Sequence, residues 1–222
     1  MKLGLIGGVS PYAYADIYLR ICDTYRQSSG AYPEIVSISL YVTEQEEKLF
    51  MANSVDDSLR ETLAHRIRST CRTFRECGIQ AVGICCNTLS ALFLEICKEF
   101  DFDVVYTPLS LVAEESATRL KGQKCLVIAS GYTYELLQNI NSIHFSEQER
   151  ACIEHFLLNH INGKSEYDEV FSNLIVRYYD IVEAILLVCT DVTAESIAPE
   201  YRTKVIDSVQ LFCDKCITVL EE

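Results

Sequence analysis

Two short segments carry the residue types best suited to chemistry. Cys86-Asn87-Thr88 and Cys189-Thr190-Asp191 each follow a run of apolar and small residues, Ala81–Cys85 and Ala184–Val188. Each run reads as a buried strand that delivers a cysteine, and the small polar residues after it suit a helix N-terminus. There the helix dipole and the unpaired N–H groups stabilise a thiolate. One such thiolate would be a nucleophile. Two, on equivalent turns, could face each other across a cleft, one as thiolate and the other as thiol. Such a pair takes a proton from one face of a carbon and returns one to the other face, which is two-base racemisation. The amides and hydroxyls of both turns would hold a substrate carboxylate and the charge that develops beside the labile C–H. The competing reading is packing alone, because unbridged cysteine is among the most buried residue types.

The elements that must position these turns follow from the period of the apolar pattern. Lys2–Ile6 reads as a buried strand ended by Gly7-Gly8, and Ser10-Pro11 as the cap and first position of a helix. Glu34–Tyr41 alternates like a strand. Leu59, Leu63, Ile67, Cys71 and Phe74 mark one face of a helix over Ser58–Cys77 that Gly78 stops. After the strand Ala81–Cys85 comes a helix over Leu89–Phe100. Val104–Thr107 and Lys124–Ala129 read as strands, with a helix over Leu109–Leu120 between them. Ser146-x-x-Glu149 is a capping box for a helix running to His160 and ended by Gly163. Tyr167–Asp180 reads as helix, Ala184–Val188 and Lys204–Ile206 as strands, and Val209–Leu220 as a last helix. Strands that alternate with helices of this length imply parallel βαβ units, hence an α/β fold. The halves echo each other: Lys2–Ser10 matches Cys125–Thr133 in shape, and Ala81–Ser90 matches Ala184–Thr193. In open parallel sheets, ligands bind at the carboxyl ends of the strands, where both cysteines fall.

Composition narrows the function. The chain has 222 residues, 19 Lys and Arg against 32 Asp and Glu, and a formal net charge of −13. A net-acidic chain with no basic run lacks the footprint of a nucleic-acid binder and does not suit anionic membranes. The longest apolar stretch, around Ile185–Cys189, is far too short to span a bilayer. Eleven cysteines, an odd number, in a chain of this size point to thiols kept reduced, and so to a cytoplasmic protein. Gly4-x-x-Gly7-Gly8 does not match a dinucleotide fingerprint. Cys213-x-x-Cys216 lies in an apolar helical pattern without a second ligand pair, and His155 and His160 do not share a helix face, so no metal site is expected. Cys85 should point away from Cys86 into the core, and His65 should lie on the surface of its helix.

Four blocks in order resemble the aspartate/glutamate racemase superfamily, and within it the aspartate racemase-like branch. They are GLIGG from Gly4 with Ser10 following, CNT at Cys86–Thr88, GYT at Gly131–Thr133, and Cys189-Thr190 followed by acidic Asp191; Asp207-Ser208 resembles the family's Asp-Thr before the last helix. The resemblance implies two similar lobes, each a parallel sheet flanked by helices, with the active site in the inter-lobe cleft. The first lobe would comprise 1–103 plus 207–222 and the second 104–206. It implies an amino-acid racemase acting on aspartate or glutamate without cofactor or metal, with Cys86 and Cys189 as the acid/base pair. Asn87, Thr88, Thr133 and Thr190 would bind the α-carboxylate, with Ser10 nearby, and the protein would be a homodimer whose ligand is a small amino acid or dicarboxylate. Lys48 and Lys164 are candidates for a distal carboxylate, which wants a cation.

The sequence also departs from the pattern. Ser90 stands where the family usually has His, Val188-Cys189-Thr190-Asp191 replaces Gly-Cys-Thr-Glu, Phe212 stands at a usual His, and Ile161 stands where a Lys precedes the glycine at 163. The proton-transfer pair is untouched by these changes, while side-chain specificity is left open. Two rivals follow: an isomerase or decarboxylase of a small dicarboxylate that uses one cysteine as nucleophile, and a member that binds a carboxylate without turnover.

Overall fold

The structure, a computed structural model, describes residues 1–8, 10–51, 56–161 and 169–222. Its elements run β1 (Leu3–Gly7), α1 (Pro11–Ser29), β2 (Ile35–Ser39), α2 (Glu44–Met51), α3 (Asp57–Glu76), β3 (Ala81–Cys85), α4 (Ser90–Cys97), β4 (Val104–Tyr106), α5 (Pro108–Thr118), β5 (Cys125–Ala129), α6 (Gly131–Glu135), α7 (Glu147–Ile161), α8 (Glu169–Tyr179), β6 (Ala184–Val188), β7 (Val205–Asp207) and α9 (Ser208–Glu221). Two 3₁₀ turns, Ala194–Ser196 and Pro199–Lys204, lie between β6 and β7. Strands and helices alternate, as the sequence predicts.

The strands form two sheets, ordered β2-β1-β3-β4 and β5-β6-β7. All pairings are parallel, so within each sheet every strand ends on the same edge. β1, β3, β5 and β6 are buried along their whole length, because helices cover both faces of each sheet. On one face of the first sheet, Leu63, Ile67, Cys71 and Phe74 of α3 pack with Leu92, Phe93 and Ile96 of α4. On the other, Ile17 and Ile21 of α1 meet Val209, Phe212, Cys213 and Cys216 of α9. In the second sheet, Phe156 and Leu157 of α7 pack with Phe171, Leu174 and Ile175 of α8 against β5 and β6, and α5 covers the opposite face. Strand alternation puts Cys85 in the α1–α9 core and Cys86 in the α3–α4 core, as expected of neighbours on one strand. Cys213 and Cys216 are core thiols, and His65 is exposed.

Helix starts follow local chemistry. Ser10 caps α1 by accepting from Ala13 N–H, with Pro11 at the first position, and Gly30 ends the helix with φ +74°. Thr107 and Ser110 cap α5 reciprocally. Asp56 caps α3 through a 2.7 Å bond from Leu59 N–H, so the helix starts at Asp57, one residue before the expected Ser58.

Two boundaries differ from expectation. Residues 104–106 belong to the first sheet, since β4 pairs with β3 in the register Ala81↔Val104, Val82↔Val105 and Gly83↔Tyr106. The pairing satisfies the outer edge of β3 and brings the Tyr106 ring to 5.4 Å from that of Phe212; the chain crosses to the second sheet through α5. At the other end Asp207 still belongs to the second sheet, in β7 beside Leu187, so the return begins at Ser208. The expected stop at Gly163, the cation at Lys164 and the start at Tyr167 lie outside the described residues.

Gly83 is the close-approach point of this packing. A Cβ there would lie 2.8 Å from Phe212 Cζ and 3.0 Å from its Cε2. Gly83→Ala should therefore lower unfolding stability by about 1–3 kcal/mol in urea melts, the usual cost of overpacking a core. Adding Phe212→Leu to that variant should recover part of the loss; an unchanged midpoint in G83A would contradict this packing.

Candidate active site

The carboxyl ends of β1, β3, β5, β6 and β7 lead into the turns that carry the predicted site residues. Cys86 follows β3 and is 5% exposed; Cys189 follows β6 and is 9% exposed. They belong to different sheets, and Cys86 adds a small upward push to the Cys189 thiol.

Cys86 is placed by close backbone approach. A Cβ on Gly8 would overlap the Cys86 Cβ and lie 3.0 Å from its Sγ and from Cys85 O. The end of β1 must therefore be glycine for the β3 turn to sit against it. Ser90, buried, donates its hydroxyl to Cys86 O at 2.8 Å, so the serine found where the family has His closes the turn around the cysteine. Asn87 is 3% exposed; its Nδ2 donates to Ser208 Oγ at 3.2 Å. Its Oδ1 is buried with no hydrogen-bond partner, a polar atom left unsatisfied. Thr88 is half-buried on the same turn.

Burial is the strongest influence on Cys189 and pushes its thiol well above its ordinary range. The Asp191 carboxylate pushes the same way, and so does Cys86, whereas the Asp191 N–H, donating to the sulfur, pulls down. Thr190 is buried beside it. Asp191 accepts a hydrogen bond from Ser10 Oγ, a contact that joins the start of α1 to the turn after β6. Ser10 thus serves α1 as cap and Asp191 as donor.

Thr133 follows β5, which lies beside β6 in the register Ala129↔Val188. It is 1% exposed, and Ser130 caps α6 while donating to the Thr133 hydroxyl at 3.1 Å. Lys48 is exposed on α2, which packs against α6 and so reaches over from the first sheet toward the second. Phe212 is core beneath Gly83. Asp207 accepts from Ala194 N–H at 2.8 Å through one oxygen and from Val209 and Gln210 N–H through the other. Burial raises its carboxyl above the usual range while those three N–H donors oppose the shift. Among the described residues no cluster of three or more His, Cys, Asp or Glu side chains is placed to hold a metal ion, and no helix is long and apolar enough to cross a membrane.

The sequence marks Gly8 as part of a strand-ending turn without revealing that its role is the room it leaves for Cys86, and Ser130 goes unnoticed, although Ser-x-x-Thr repeats the cap spacing of Ser10. Asp191 reads in the sequence as a helix-start residue and as the acidic end of the Cys189 block, and its bond to Ser10 is not foreseen, because a contact between turns on two sheets has no local signal.

The fold is shared with solved structures. The chain has the aspartate/glutamate racemase fold. It is similar along 100% of its length to an aspartate racemase homologue from Pyrococcus horikoshii OT3, with TM-score 0.73, 20% identity and 99% of that chain covered. An aspartate racemase from Picrophilus torridus matches 99% of this chain and 94% of its own, with TM-score 0.71 and 21% identity. A glutamate racemase from Campylobacter jejuni subsp. jejuni matches 97% and 84%, with TM-score 0.59 and 20% identity. No protein-family model and no curated protein matches the chain.

The electrostatics of Cys189 set its reactivity. Thiolate is the species that alkylates, so labelling of Cys189 by iodoacetamide should rise about tenfold per pH unit from pH 7 to pH 10 without levelling off. Peptide mapping after timed labelling reads this directly. A plateau below pH 9 would contradict the burial argument.

Proposed function

We propose that this protein is an amino-acid racemase that works without a cofactor, using Cys86 and Cys189 as its acid/base pair. What supports the reading is that each cysteine directly follows an inner strand of its own parallel sheet, Cys86 after β3 and Cys189 after β6. In one direction the Cys86 thiolate removes the α-hydrogen and the Cys189 thiol supplies one to the opposite face. In the other direction the roles exchange. The carbanion formed in between is planar, and its charge spreads into the α-carboxylate. Hydrogen-bond donors at that carboxylate therefore strengthen in the transition state; Asn87, Thr88, Thr133 and Thr190 supply them in this reading. The orphaned Asn87 Oδ1 suits the substrate ammonium.

Acidic amino acids are the first candidates, with aspartate and glutamate ahead. Lys48, on the helix that reaches over to α6, is the cation proposed for a distal carboxylate, and Lys164 a second. A homodimer in the cytoplasm completes the proposal.

The test is exchange with solvent. In deuterium oxide the protein should wash deuterium into the α-position of aspartate or glutamate starting from either enantiomer, followed by nuclear magnetic resonance. Cys86→Ser and Cys189→Ser should each lower racemisation by about 10²–10⁴-fold, the usual weight of a positioned acid or base. Full activity in both variants, or no exchange with any common amino acid, would overturn the reading.

A further inference from the structure

The second sheet leaves part of its outer edge open. β5 is an edge strand, with β6 on one side of it. Lys124 C=O accepts from Glu183 N–H at 2.8 Å on the β6 side, so the even-numbered residues of β5 bond inward. The odd-numbered residues face outward. Cys125 does so: its N–H donates to Asn141 O at 2.8 Å and its C=O accepts from Ile143 N–H at 2.9 Å, in an isolated parallel bridge. Two residues further on, the same ladder would join Val127 N–H to Ile143 O. The ladder stops instead, because the Tyr134 hydroxyl donates to Ile143 O at 3.1 Å. Val127 N–H and C=O and Ala129 N–H are left facing outward, and among the described residues nothing bonds to them there. Both residues are buried, at 1% and 7% exposure, where an unpaired backbone group is costly. They line a cavity of about 140 Å³ between α6 and α7.

We propose that this cavity binds a free amino acid with an apolar side chain, at a site separate from the cysteine turns. Its lining includes neither cysteine and none of the hydroxyls assigned to the cleft. Each part of such a ligand meets matching chemistry on the wall. The outward N–H groups of Val127 and Ala129, with the Arg150 guanidinium on α7, suit a carboxylate. Val127 C=O, with the carboxylates of Glu135 on α6 and Glu154 on α7, suits an ammonium. Phe145 and Ile153 supply an apolar wall, and a cavity of roughly this volume holds a benzene-sized group. Donors, an acceptor and charges of both signs favour a zwitterion over a plain carboxylate or amine. An added peptide strand fits less well, because the open edge from Val127 to Ala129 is about 7 Å long at 3.3 Å per residue. The Tyr134–Ile143 bond closes one end of it and the turn into α6 the other. α6 also carries Thr133, so an occupant braces the turn that the racemase reading assigns to the α-carboxylate. The binding itself does not depend on that reading.

The experiment titrates L-leucine and L-phenylalanine, with glycine as the control, into the isotope-labelled full chain and follows the backbone amides by nuclear magnetic resonance. At least one of the two should move the signals of Val127, Ala129 and Gly131 most, and bind about tenfold or more tightly than glycine through its buried side chain. Isocaproate, which lacks the ammonium, and isoamylamine, which lacks the carboxylate, should each bind about tenfold or more weakly than leucine. Arg150→Gln, at an exposed position, should weaken binding by about tenfold through loss of a charge-assisted bond, and Arg150→Lys should restore part of it. Thermal melts confirm that both variants are folded. Absence of any shift, shifts confined to Cys86–Thr88 and Cys189–Asp191, glycine binding as well as leucine, or an unchanged affinity in Arg150→Gln overturns the proposal. The racemase reading fails separately, by lack of α-hydrogen exchange, and leaves this binding result standing on its own.

Discussion

The N-terminus of α9 is where the whole arrangement is pinned. The two cysteines belong to different sheets, so their separation is set by whatever locks one sheet to the other. Ser208, the first residue of α9, takes a hydrogen bond from Asn87 beside Cys86. Asp207, the cap before it, takes one from Ala194 in the turn that follows Cys189. One helix start is therefore bonded to both reactive turns. Its body packs the same helix into the first sheet, through Val209, Phe212, Cys213, Cys216, Val219 and Leu220. The chain leaves the second sheet at β7 and finishes in the core of the first, and that return is what makes the cleft a defined space.

The same constraint accounts for the cost carried at the site. A buried carboxyl at Asp207 and a buried Asn87 oxygen without a partner are each unfavourable alone. They persist because the buried apolar side chains of both sheets and their helices hold the scaffold that carries these turns, and a stably packed scaffold can support locally costly groups where function needs them. The net charge of −13 falls on a surface where salt screens interactions beyond about 8–10 Å. Inside the cleft the N–H groups and hydroxyls of the strand-end turns set the local field.

Much of this was legible in the residues. The strands Ala81–Cys85 and Ala184–Val188 occur with the bounds their apolar runs predict, because a strand buried on both faces has no polar position to blur its ends. Ser10-Pro11 announced α1 by local chemistry that tertiary contacts do not override. Two elements were missed for different reasons. α6 has only five residues, too few for a periodic signal. α2 reads as polar, yet Thr43 and Glu46 form a capping box at its start, with Glu46 also paired to Arg66, and that Thr-x-x-Glu spacing was available in the sequence. The fate of residues 104–106 was not, since nothing local tells an edge strand which of two sheets it joins. Within the site the cysteines and their neighbouring hydroxyls were foreseeable from strand-end position. The Ser10–Asp191 and Asn87–Ser208 contacts were not, because each joins residues more than a hundred positions apart.

The central proposal is that Cys86 and Cys189 share one cleft as an acid/base pair. Dibromobimane, a bifunctional reagent that becomes strongly fluorescent when it bridges two nearby thiols, tests it directly. Peptide mapping of the fluorescent product should yield one species joining the segment around Cys86 to the segment around Cys189, and Cys86→Ser or Cys189→Ser should abolish it. If both cysteines are modified singly and no joined peptide forms, the two turns do not share a cleft and the account is wrong.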